Sequence, residues 1–110
     1  MKQGEIWLAN LNPGKGSEQK GMRPVVIISG NMLNQYLPIV IVCPLTSKIK
    51  NYKGNPVITP DKENGLTEPS EILTFHIRSI SKDRLMSKFG SIKQEQFSEI
   101  KKGLDDILRY

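Results

Sequence analysis

The chain has 110 residues, enough for one domain with its own core and too few for two ordinary ones. Apolar residues at 37% and charged residues at 25% exclude a disordered chain. No apolar run approaches the length needed to cross a membrane, the amino terminus lacks the apolar core of a signal peptide, and the formal net charge of +5 points to an anionic partner, so the expectation is a cytoplasmic domain of residues 1–110 with no membrane association.

The charge is unevenly placed. Residues 1–53 hold seven Lys and Arg against two Glu, whereas residues 54–110 hold nine of each sign. The whole excess therefore belongs to the first half, which ranks nucleic acid first among partners and an acidic protein segment second. Plain solubilising charge is the simpler reading of the same number.

In chain order, Gly4–Leu11 reads as a strand that stops at Asn12-Pro13-Gly14. A long loop to Met22 follows, rich in Gly, Lys and Ser, and loops of that length often carry function. It feeds the apolar run Val25–Ile28, with Arg23 expected at the mouth of that strand beside Pro24. Residues 30–36 predict one or two helical turns ended by Pro38. Ile39–Leu45 predicts a strand covered on both faces, with Cys43 as a small buried apolar side chain, and it runs into Thr46-Ser47-Lys48. Lys48–Asn55 is basic around Tyr52, a pattern that suits single-stranded RNA and equally a solvated turn.

Pro56–Pro60 predicts a short edge strand, and residues 61–69 are rich in turn formers. Alternation over Glu71–Ile80 predicts one half-buried strand with His76 and Arg78 on a shared face. Ser81–Met86 reads as a capped helical turn, and Phe89–Ile92 as a last short strand. Lys93–Leu108 predicts a helix whose Phe97, Ile100, Leu104, Ile107 and Leu108 form a core-facing stripe. The sum is mainly β with helices: about six short strands curled into a small barrel, plus a C-terminal helix.

Four stretches, GEIWLANLNP at Gly4–Pro13, GSEQKGMRPVVIIS at Gly16–Ser29, CPLTSK at Cys43–Lys48 and SEILTFHIRSISKDRL at Ser70–Leu85, occur in the order and with the content of the MazF/PemK toxins of bacterial toxin–antitoxin pairs, which the chain resembles. The resemblance implies an SH3-like β-barrel that forms a two-fold homodimer. It further implies a metal-independent, cofactor-free endoribonuclease acting on single-stranded mRNA, neutralised by an acidic antitoxin segment. The family's catalytic arginine falls on Arg23 and its motif threonine on Thr46. His76 stands where many members carry glutamine.

RNA cleavage by its own 2′-hydroxyl needs a proton acceptor, charge on the phosphorane and a donor for the leaving oxygen. Arg23 suits the second need, because its fork matches phosphate oxygens and proton loss from a guanidinium is costly. Thr46 can donate its hydroxyl to a non-bridging oxygen, or simply make a strand-end hydrogen bond. For the acceptor, Glu18 and His76 compete; Glu18 is taken as the catalytic group, and His76 as a structural or base-contacting residue. Ser17, Gln19, Lys20, Ser47, Lys48, Lys50, Tyr52, Lys53, His76 and Arg78 are the expected RNA contacts. Two rivals remain, a CcdB-like toxin of the same fold that poisons a protein target and a non-cleaving nucleic-acid-binding barrel.

Overall fold

A computed structural model describes residues 1–16 and 20–110. Ser17, Glu18 and Gln19 lie outside them. Among the described residues the chain forms strands β1 (Glu5–Asn10), β2 (Met22–Ile27), β3 (Ile39–Thr46), β4 (Val57–Ile58), β5 (Ser70–Ile72), β6 (Arg78–Ser81) and β7 (Leu85–Ser91), with helices α1 (Asn31–Tyr36) and α2 (Gln94–Arg109). Two 3-10 turns, Thr74–His76 and Lys82–Arg84, complete the set.

The strands make one curled antiparallel sheet in the order β4-β5-β3-β2-β1-β7, and β6 also pairs with β3. It is a half-barrel closed on one side by α2. The continuous β-branched runs of β2 and β3 are explained by burial on both sheet faces. Ile6, Val26, Cys43, Leu45 and Ile72 point to the face covered by Ile100 and Leu104 of α2. Ala9, Val25, Ile27, Val40, Val42 and Ile80 form a second core on the opposite face. Cys43 is fully buried, as its apolar neighbours predict.

Four expectations need correction. The single strand over Glu71–Ile80 is two strands separated by the Thr74–His76 turn. β5 pairs with Leu45–Thr46 and β6 with Ile39–Val42, so the chain steps across β3 opposite Cys43-Pro44. Pro44 has no N–H to continue the ladder there, and its carbonyl instead accepts from Leu73 N at 2.9 Å. His76 and Arg78 therefore do not share a strand face.

The split of Glu71–Ile80 supplies the seventh strand among the described residues, and the last strand starts earlier than Phe89–Ile92, running from Leu85 to Ser91 along β1. Gly90 within it is held against the 61–69 turn so closely that a Cβ would meet Glu63 O at 2.0 Å. Arg23 sits inside β2, paired with Ala9, rather than at its mouth. On α2 the apolar stripe is core only in its middle: Ile100 is buried and Leu104 packs beside it, while Leu108 is 86% exposed.

Candidate active-site cleft

The β2–β3 register pairs Val25 with Pro44, and continuing it two residues brings Arg23 level with Thr46. On the other side of β3, Thr46 pairs directly with Glu71 of β5. Side chains directly opposite in a ladder point to the same face, so Arg23, Thr46 and Glu71 form a transverse row over three neighbouring strands. Arg23 and Thr46 line a cleft of about 210 Å³ together with Lys48, Lys50, Tyr52, Leu73, Phe75 and His76. A second hollow of about 380 Å³ adjoins it across the same two residues and is lined by Met22, Ser47, Thr67, Glu68 and Phe89 among others.

Each group has a local reason for its position. Arg23 Nε donates to the carbonyl of Lys20 at 3.0 Å, which fixes the guanidinium stem. Lys20 itself is exposed. Thr46 Oγ1 accepts from Lys48 N at 3.1 Å, a strand-end turn that leaves the hydroxyl proton to donate elsewhere.

Glu71, to which the sequence reading gave no role, organises the basic loop. Its side chain is fully buried, and its carboxylate accepts from Lys50 N at 2.8 Å, Asn51 N at 3.0 Å, Tyr52 N at 3.0 Å and Asn55 Nδ2 at 3.1 Å. Burial pushes this carboxyl up, but the backbone amides and Asn55 together hold it below the usual range. Asn55 Oδ1 in turn accepts from Thr74 N at 3.1 Å and Thr74 Oγ1 at 2.7 Å. One buried polar cluster thus anchors both the Lys48–Lys53 loop and the turn that carries Phe75 and His76. α2 presses on the same cluster: a Cβ at Gly103 would meet Gly54 O at 2.2 Å, so only glycine fits there.

Along the cleft the Phe75 ring stands nearly perpendicular to Tyr52, with centroids 5.3 Å apart, and to His76, at 5.0 Å. Phe75 escaped sequence reasoning because period-two alternation assigned it to the face opposite His76. A turn, unlike a strand, can bring consecutive residues to one side.

The structure thus gathers Arg23, Thr46, Lys48, Lys50, Tyr52 and His76 in one cleft and places Ser47 in the adjoining hollow. Lys53 instead lines a separate hollow with Gly54, Asp106, Ile107 and Tyr110 of the α2 side. Arg78 lies on β6 opposite Val42, away from the cleft lining, with a buried Nη1 that has no hydrogen-bond partner among the described residues. Ser17, Glu18 and Gln19, expected to take part, lie outside the described residues. Among the described residues no three His, Cys, Asp or Glu side chains are grouped to hold a metal ion, and no helix is long and apolar enough to cross a membrane.

Comparison with known proteins matches residues 2–108 to the family described as PemK-like, MazF-like toxin of type II toxin–antitoxin system. The chain is 37% identical over 106 residues to the endoribonuclease MazF of Staphylococcus saprophyticus, covering 96% of this chain and 88% of that protein. Among solved structures it is similar to MazF of Deinococcus radiodurans, with a TM-score of 0.86 at 24% identity over 100% of this chain and 97% of that one. It is also similar to a mycobacterial endoribonuclease solved with its cognate antitoxin, with a TM-score of 0.81 at 18% identity over 99% and 95% of the two chains. These two likenesses establish the fold.

Proposed function

The chain belongs to the PemK-like, MazF-like toxin family of type II toxin–antitoxin systems, and from that premise we propose how it acts as an endoribonuclease on single-stranded mRNA. The observation that carries the reading is that Arg23 and Thr46, on adjacent strands, line one cleft with Lys48 and Lys50. An RNA strand laid along the cleft brings a phosphate between the guanidinium and the threonine hydroxyl, with the lysines neutralising its neighbours.

The 2′-hydroxyl then attacks the adjacent phosphorus, its proton passing to Glu18. Arg23 and the Thr46 hydroxyl bind the non-bridging oxygens, whose charge grows in the phosphorane; the P–O5′ bond breaks as the leaving oxygen takes up a proton from water. The products are a 2′,3′-cyclic phosphate and a 5′-hydroxyl, and the sequence of steps calls on no metal. His76 contacts a base. The protein works as a homodimer in the cytoplasm, and an acidic antitoxin segment silences it by occupying the same basic cleft.

The test is to incubate the purified protein in EDTA with a long mixed-sequence single-stranded RNA, in parallel with Arg23→Ala, and to map the ends. Discrete cuts with 2′,3′-cyclic phosphate are expected, reduced at least about 100-fold in the variant. Intact RNA from folded wild-type protein would overturn the ribonuclease reading and favour a protein target instead.

A further inference from the structure

We propose that Phe75 is the central ring of a nucleobase-stacking subsite, framed by Tyr52 and His76, that holds a base beside the scissile phosphate; the inference rests on the ribonuclease reading above. Phe75 is 44% exposed and Tyr52 48% exposed, and both rings border a cleft that also holds the cations Arg23, Lys48 and Lys50. Water contact on two neighbouring aromatic rings is unfavourable for the isolated chain and becomes useful once a flat, apolar π-face covers them.

The rings are also prepared for that ligand. The edge-to-face contacts fix Phe75 from both sides, 78° from Tyr52 and 67° from His76. The backbone beneath is held by the buried Glu71–Asn55–Thr74 cluster, which binds Tyr52 N on one side and Thr74 N on the other. A platform whose position is fixed before binding spends little ordering entropy on its ligand. Lys48 and Lys50 border the same cleft, and alternation of cations with aromatic rings is the footprint of single-stranded nucleic acid. A cleft of about 210 Å³ suits a single nucleotide rather than an apolar helix. Because every base has a π-face, this subsite adds affinity for RNA without choosing its sequence.

The experiment uses the RNA site mapped as above and three proteins: wild type, Phe75→Leu, which keeps apolar bulk but loses the ring, and Phe75→Tyr, which keeps the ring. Phe75→Leu is expected to raise KM about tenfold with kcat nearly unchanged, and Phe75→Tyr to restore it. RNA made abasic in turn at each residue flanking the cut provides the second arm. At one position the wild type should lose as much as Phe75→Leu loses on intact RNA, and the two losses should not add. An uncleavable RNA with 2-aminopurine at that position should be quenched on binding to wild type and to Phe75→Tyr, but not to Phe75→Leu. Unchanged KM in Phe75→Leu, or additive losses at every position, overturns the subsite while leaving the ribonuclease reading intact. Unaltered cleavage by Phe75→Leu with weakened antitoxin inhibition would reassign the ledge to the antitoxin. Intact RNA with wild type overturns both readings.

Discussion

Thr46 shows how one side chain serves structure and chemistry at once. Its oxygen accepts from Lys48 N and so turns the chain out of β3, and its proton remains for a phosphate oxygen. Thr46→Val keeps the shape but loses both roles, whereas Thr46→Ser keeps them. Single-turnover cleavage should therefore fall about 100-fold in Thr46→Val and within about tenfold in Thr46→Ser, in line with removal of one donor to a developing oxyanion. Equal losses in the two variants would mean that the methyl group, not the hydroxyl, matters. Cys43 illustrates the opposite case: burial alone pushes its thiol up to about 12, so almost no thiolate exists at neutral pH. A thiol reagent should leave the native protein unlabelled and react only after denaturant exposes the core.

The element that decides the site is the loop from Lys48 to Lys53, which has neither helix nor strand to hold it and borrows its order from Glu71. Glu71→Gln keeps the volume but replaces one acceptor oxygen with an NH₂ facing N–H donors. That leaves buried donors unpaired, at a cost of about 2–4 kcal/mol. Hydrogen exchange should then accelerate at Lys50, Asn51 and Tyr52 while the β1–β2 amides stay protected, and KM for RNA should rise with the loosened loop. Uniform acceleration across the sheet would instead make Glu71 a general stability residue. Neither Glu71 nor Phe75 was legible in the sequence, and for related reasons. An acidic residue at the start of an alternating run looks solvent-facing, and its partners are backbone amides, which leave no trace in side-chain pattern. The break after Ile72 arises from Pro44 on a different strand, a tertiary constraint that period-two counting cannot detect. What patterning did expose was the strongly periodic part, the two-face burial of β3 and the α2 helix with its central contacts, together with the capped turn expected over Ser81–Met86, where Ser81 Oγ accepts from Asp83 N but Leu85 and Met86 already belong to β7. The overextended stripe to Leu108 has a simple cause, since periodicity marks a helix face but not which residues of that face are covered.

Over the whole molecule, two buried carboxylates pin opposite ends of the curled sheet. Glu71 secures the β5 side. Glu5, only 7% exposed at the start of β1, accepts from Trp7 Nε1 at 2.9 Å and Lys2 N at 3.0 Å, and pairs with Lys88 of β7 at 3.1 Å. Burial pushes the Glu5 carboxyl up, but the Trp7, Lys2 and Lys88 contacts outweigh it and bring it down to about 2, from an ordinary value of 4.5. Glu71 is shifted in the same direction. A carboxyl with a lower pKa in the folded state stabilises the fold above its unfolded value, and that stability is lost as pH falls through the folded one. For Glu5 the window runs from 4.5 down to about 2 and is worth about 3 kcal/mol. Urea titrations should show a midpoint that is steady from pH 7 to about 5 and then falls steeply. Glu5→Gln should be less stable at pH 7 yet flatter below pH 4.5, because it has no proton to take up. Parallel curves for the two proteins across the acid range would show that Glu5 is not the coupled group. The remaining slope in Glu5→Gln would then be assigned by adding Glu71→Gln, which should flatten it further.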